Sequence, residues 1–465
     1  MNAGLLWVAL PLVTAGGLSL WTPASTRRKR WVAIAVALFL SLMAWKVPIG
    51  QPLPLLGYRW TWTIEPRWHL LGRGFALDDP ARGWLLAFYA WAGLWALFSA
   101  EARQAPDFPS WTLALPALLT LALAAQDFLY TVLLLGLTFV GLTFLWTPPQ
   151  RPAPGTGVMR HLTFAALGLP LILLALAGLP GLETAPPQTP AVQRVGLLLG
   201  LGLALWAGAF PFHTAYPLLG QEVHPYRLGF GWWFTHVALV LAVLHWAPSF
   251  VWLRDNPALQ AGLQGLGLGT VALAAVLLLA QRDLGRATGY LALLSTGWSW
   301  LALAQGLEHG PIAFLALAWP RALLWLGWTW ALAVLGLPHD GFTVEHLRGR
   351  GRAAPWTAVL AVVGLGAWAP WPGLGLAGLF SGVLLPTSLP WWGWAAWALA
   401  FASLTWAARR WAETLFLAGP EPQPNLPETW RERAWVGLWA VLWLAVAFTP
   451  GLWYAWAVAA RGWIP

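Results

Sequence analysis

Trp206-Ala207-Gly208-Ala209-Phe210-Pro211-Phe212-His213-Thr214 closes one apolar run, and His224-Pro225 opens the next, which contains His236. Proline has no backbone donor and clashes with the preceding turn, so a helix arriving from residue 193 breaks at Pro211. A short polar segment with His213, Glu222 and His224 then leads back into apolar sequence. Broken backbone at membrane depth survives only where protein or a water-filled cavity surrounds it, and such breaks mark transport or assembly sites. Everything turns on whether the flanking runs are membrane spans.

Composition says that they are. Of 465 residues, 59% are hydrophobic and 9% charged, where an ordinary soluble protein carries roughly a quarter charged residues. Apolar runs of about 20 residues recur along the chain, each able to cross a hydrocarbon core of roughly 30 Å. The expected fold class is all-α: a polytopic membrane protein of about fourteen spans, forming one membrane domain over 1–465 with no linker dividing it. The first span begins near residue 3 and lacks the basic start and cleavage site of a signal peptide.

The formal charge of +9 does not call for nucleic acid, because the basic residues sit in short loops between spans. Arg27, Arg28, Lys29 and Arg30 fill the first loop, and alternate loops such as 348–352 and 409–410 repeat the bias, which assigns that side to the cytoplasm and both termini to the outside. Arg321 alone among the basic residues falls inside a span. The absence of cysteine excludes Cys-ligated iron–sulfur clusters and structural disulfides. Of the 39 tryptophans, those at span ends suit an interfacial belt and those in mid-span suit core packing.

One outer loop, 49–82, is long. Its Tyr58-Arg59-Trp60-Thr61-Trp62-Thr63-Ile64 alternates aromatic and polar residues, the period of a short surface strand or hairpin. A second break follows at Trp368-Ala369-Pro370-Trp371-Pro372-Gly373. The breaks fall in spans 7 and 12, five spans apart. Paired breaks at an odd offset imply inverted repeats, here 109–247 (spans 4–8) and 259–417 (spans 9–13).

Pro211-Phe212-His213-Thr214 with His224-Pro225 resembles the central signature of the antiporter-like membrane subunits of respiratory complex I, the M type of NADH-quinone oxidoreductase in particular. Other segments agree in order: Phe75-Ala76-Leu77-Asp78-Asp79 before span 3, Asp127 opening span 5, Asp283, Arg286 and Tyr290 at span 10, Arg321-Ala322-Leu323-Leu324-Trp325 in span 11, and Pro372 to Phe380 in span 12. The resemblance implies a proton path of intramembrane ionisable residues, and here the chain departs from it. The expected Glu nine residues after Asp127 is Gly136. The expected Lys before Pro211 is Trp206, and the Glu of the second break is Leu379. His236 stands near the span-8 Lys of the family and Arg321 at the span-11 Lys.

Each remaining candidate has two readings. Arg321 serves a conducting path, or it is a structural arginine bonded to the freed carbonyls around Ala369 to Gly373; guanidinium is a poor proton carrier because it hardly deprotonates. His236 relays protons through an imidazole that ordinarily titrates near neutrality, or it is a satisfied core histidine. His213 and His224 lie near the cytoplasmic surface, with only Glu222 beside them, too loose a set for a metal. Asp127 and Asp283 open helices, and Pro211 and Pro372 mark the breaks.

The expected function is that of a membrane-arm subunit of a complex-I-like NADH-quinone oxidoreductase, contributing to proton translocation structurally or through a degenerate path. The alternative is an antiporter-derived subunit of an inorganic-carbon uptake or Mrp-type cation/proton antiporter complex. A stand-alone membrane transferase is a third reading, but no paired acidic motif supports it. The sequence offers no site for NADH, flavin or quinone, so no cofactor is expected. The expected partners are other membrane subunits and the lipid bilayer, with the chain multi-pass in the inner (plasma) membrane.

Overall fold

In the computed structural model the apolar runs are helices. The structure describes residues 2–21, 25–55, 60–147, 155–254, 256–336, 341–369, 391–417 and 427–460. In order come α1 (Leu5–Leu20), α2 (Thr26–Lys46), α3 (Arg82–Phe98), α4 (Phe108–Ala124), α5 (Phe128–Trp146), α6 (Thr156–Ala177), α7 (Pro190–Ala207), the short α8 (Ala215–Glu222) and α9 (Pro225–Trp246). After the single turn α10 (Val251–Arg254) come α11 (Pro257–Leu279), α12 (Leu284–Leu303) and α13 (Gly306–Leu335). The turn α14 (Val344–Leu347), α15 (Pro355–Gly366), α16 (Trp391–Phe416), α17 (Trp430–Phe448) and α18 (Pro450–Ala460) complete the described helices.

Each of the expected spans overlaps a helix. By length and apolarity, however, 6 described helices qualify to cross a membrane, or 7 if a bent pair is taken as one span, so the count of fourteen is not reached by that measure. The bent pair lies in the last expected span, 433–460. It is two helices, α17 and α18, meeting at 74°, because Pro450 cannot continue the helix that ends at Phe448. The long outer loop holds two hairpins, β1 (Leu53–Leu55) with β2 (Trp60–Trp62) and β3 (Arg67–Leu70) with β4 (Arg73–Ala76). Trp60-Thr61-Trp62 of the alternating aromatic segment is β2; Tyr58 and Arg59 lie outside the described residues.

Local signals place the helix starts. Asp127 caps α5 by accepting from the Leu129 N–H, Asn256 caps α11, and Asp283 caps α12 by accepting from the Arg286 N–H. Thr429 and Glu432 form a reciprocal capping box at α17.

The centre of the bundle is the pair α9 and α13, which pack on each other and are buried on nearly every side. A helix apolar all round belongs in such a position. Large rings fill the space between them and their neighbours, with Trp95, Trp146, Trp232, Trp298, Trp325, Trp328, Trp330 and Trp368 fully enclosed. Mid-span tryptophan is core material here. The interfacial sort is also present, as Trp31, Trp391 and Trp430 are exposed near helix ends.

Candidate functional site

The break expected at Pro211 is present. Helix α7 ends at Gly208, whose φ of +62° is the left-handed conformation that glycine adopts without strain and that closes helices. The Ala209 N–H donates to the Ala204 carbonyl, Phe210-Pro211 is a cis peptide, and the chain re-enters helix at Ala215. His213 stays local, its Nδ1 3.1 Å from the Pro211 carbonyl and its ring stacked on Phe210. Pro211 also helps wall an apolar cavity of about 590 Å³ between α7, α9 and α11.

The piece α8 does not hang free. It crosses α12 with backbone against backbone: a β-carbon on Gly220 would fall on the Gly285 carbonyl, and one on Gly289 would fall on the Tyr216 carbonyl. Its other flank meets α6, where a β-carbon on Gly157 would lie 2.5 Å from the Leu219 nitrogen and the Gly157 N–H donates to Glu222.

His224 caps α9. Its Nδ1 accepts from the Tyr226 N–H and lies 3.0 Å from Gln104 Nε2. Burial, reinforced by the nearby Arg227 charge, lowers its pKa to about 3. The imidazole is therefore neutral and unsuited to gathering protons near neutrality. Arg227 is 4% exposed, and its guanidinium forks onto both oxygens of Asp107 while donating to Gln104 Oε1 and the Leu145 carbonyl. The sequence placed Arg227 among loop charges. The ion pair is long-range, and its one trace in the sequence is that both partners fall on the same side of the membrane.

Above the break, Trp206 fills the space between α5 and α6. Its Nε1–H donates to the Ala165 carbonyl, 3.1 Å away, and its ring lies 5.0 Å from that of Phe139. A β-carbon on Gly136 would lie 3.5 Å from the indole, and one on Gly168 would lie 2.5 Å from it. The resemblance expects a Glu at 136 and a Lys at 206, so the two positions of that ion pair are neighbours in space. Here a glycine niche holds an indole instead.

Deep between α9, α12 and α13 lie the two intramembrane candidates, and the structure brings them together. Arg321 is 2% exposed. Its Nη1 donates to Ser299 Oγ at 2.5 Å and to the Ser295 carbonyl at 3.0 Å, and its Nε donates to the Leu317 carbonyl of its own helix. His236 Nε2 lies 2.8 Å from the same Ser299 hydroxyl. Trp232 stacks on the imidazole at 4.7 Å, followed by Trp325 and Trp368. Arg321 Nη2, His236 Nδ1 and Ser295 Oγ have no hydrogen-bond partner among the described residues. Among the described residues its hydrogen bonds go to α12 and its own helix; the carbonyls of the second break from 370 onward, expected to hold Arg321, lie outside the described residues. Ser299 was missed, since a helical serine bonded to its own backbone leaves no mark in sequence.

The other candidates stay apart. Asp127 is an exposed cap. Asp283 is a cap whose pKa burial raises, opposed by hydrogen bonds from Arg286 and Gly285. Pro372 and Leu379 lie outside the described residues.

No protein-family model matches the sequence, and neither does any curated relative. Solved structures do. A chain of the membrane-bound sulfane sulfur reductase, an archaeal respiratory membrane complex, superposes with a TM-score of 0.80 at 19% identity, over 100% of this chain and 98% of that one. A chain of respiratory complex I from Thermus thermophilus gives 0.76 at 20%, over 99% and 100%. A chain of the Mrp complex from Dietzia sp. gives 0.75 at 16%, over 98% and 96%. The fold is that of an antiporter-like membrane subunit.

Proposed function

We propose that this chain is a membrane-arm subunit of a complex-I-like NADH-quinone oxidoreductase, multi-pass in the plasma membrane, in which the first half-channel is closed and the fold serves mainly to hold neighbouring subunits. The observation that carries this reading is the Trp206 indole in the niche of Gly136 and Gly168. An indole and a hydrogen atom cannot exchange protons, so a path through that pair has no carrier. Likeness over the whole chain to subunits of multi-subunit complexes supports the assembly role. The 109–247 and 259–417 segments are proposed as its inverted repeats.

The second reading is an Mrp-type or inorganic-carbon uptake complex on the same scaffold, favoured by the likeness to the Mrp chain. Affinity purification of the tagged chain from its own membranes separates the two. Recovery with redox subunits and NADH–quinone activity supports the first. Recovery with cation-antiporter subunits and no redox activity overturns it. The closed half-channel is tested separately in liposomes holding this chain alone, where no proton flux is expected.

A further inference from the structure

On the end of the bundle that carries the Arg27–Arg30 run, α2, the end of α3 and α17 enclose an open cavity of about 720 Å³. Its lining is of two kinds. Arg27, Arg30 and Arg431 face it, opposed by a single acid, Glu101. Away from them the wall turns apolar with Leu97 and Leu438, along helices that run on into the bundle. A molecule that fits is anionic at one end and apolar along the rest.

Three features sharpen the choice. Arg30 Nε is buried with no hydrogen-bond acceptor among the described residues, and such a donor has to be satisfied. Arg30 lies against Trp31 and Arg431 against Trp430, with 5.9 and 5.6 Å from guanidinium carbon to ring centroid. These cation–π contacts leave guanidinium N–H groups for an oxyanion. Trp31 and Trp430, 50% and 74% exposed, flank the opening as tryptophan does at headgroup depth.

We infer that this cavity is a binding site for an anionic phospholipid, its phosphodiester on Arg30 and Arg431 and an acyl chain along Leu97 and Leu438. Basic pockets between spans recognise headgroups in this way. Binding across α2, α3 and α17 would tie α17 to the start of the bundle, where Phe98 and Trp435 already meet with ring centroids 4.1 Å apart.

The test is thermal unfolding of the full chain in detergent micelles, titrated with phosphatidylglycerol, phosphatidylcholine or inorganic phosphate at constant ionic strength. Phosphatidylglycerol is expected to raise the melting temperature saturably, and the other two are not. In Arg30→Gln/Arg431→Gln the titration midpoint should weaken about tenfold or more. Arg409→Gln, which removes an exposed arginine paired with Glu413, should leave it unchanged. Glu101→Gln removes the opposing charge and should tighten the midpoint, a direction that misfolding does not imitate. Equal shifts with phosphatidylcholine, an unchanged midpoint in the double variant, or the full shift with inorganic phosphate would each overturn the assignment.

Discussion

Trp206 and Gly136 form one packing unit, with the indole standing 3.5 Å from where a β-carbon at 136 would lie. Trp206→Ala should cost about 3–5 kcal/mol through the void it leaves. Gly136→Glu should lower the melting temperature by driving a carboxylate into Leu169 and the indole. Trp206→Lys in that background should restore part of the loss, with a coupling of about 0.5–3 kcal/mol. Strictly additive melting temperatures across the four proteins of the cycle would mean that the niche is not shared.

Arg321 depends on α12. Replacing it with Leu removes the charged donor shared by the Ser295 carbonyl and the Ser299 hydroxyl, which keep their bond to each other and the His236 contact, at about 1.5–3 kcal/mol for each hydrogen bond lost. Arg321→Leu is therefore expected to reduce the yield of folded, assembled protein, and Arg321→Lys to spare more of it. Size-exclusion profiles of the purified variants decide. If Leu assembles normally while ion pumping by the complex stops, Arg321 belongs to a conducting path.

The neutral His224 cap sets a pH dependence. Its pKa is about 3 in the folded chain and ordinarily about 6.5 when unfolded. The folded state thus disfavours the protonated form. The stability it contributes is complete above about pH 6.5 and is lost as pH falls toward 3. His224→Asn keeps a good cap and removes the titration. Melting temperatures between pH 7 and pH 4 should fall more steeply for the parent than for the variant, and parallel curves would refute the assignment.

Gly289 and Gly269 make opposite tests of close approach. A β-carbon at 289 meets the Tyr216 carbonyl, whereas one at 269 meets nothing within 4 Å. Gly289→Ala should cost about 1–3 kcal/mol or more by forcing α8 from α12. Gly269→Ala should be neutral or gain up to about 1 kcal/mol from helix propensity. Equal melting temperatures for the two variants would contradict the crossing.

Helices and the break at Pro211 were legible because they are written in local chemistry: apolar runs of spanning length, and a residue that cannot donate. The bend before Pro450 was equally local, yet the apolar run on either side of it reads as one span. What sequence could not supply was adjacency. Arg321 was visible as a charge in the wrong place, but its acceptor on Ser299, 22 residues away on the preceding helix, depends on how α12 and α13 are set side by side. The Gly136 and Trp206 substitutions were each visible as losses. That they fit each other appears only when α5 and α7 are packed.

The break in α7 has a mechanical consequence. Because α8 lies in glycine-lined contact with α6 on one flank and α12 on the other, eight residues act as a strut between two long helices that are distant in sequence. A strut bearing on both members fixes their spacing and stops one from sliding along the other. Gly208 to Thr214 join this strut to α7, and α7 is itself seated on α6 through Trp206, Ala165 and Gly168, so a displacement of α7 would be passed to α12 through the strut's own partner, α6.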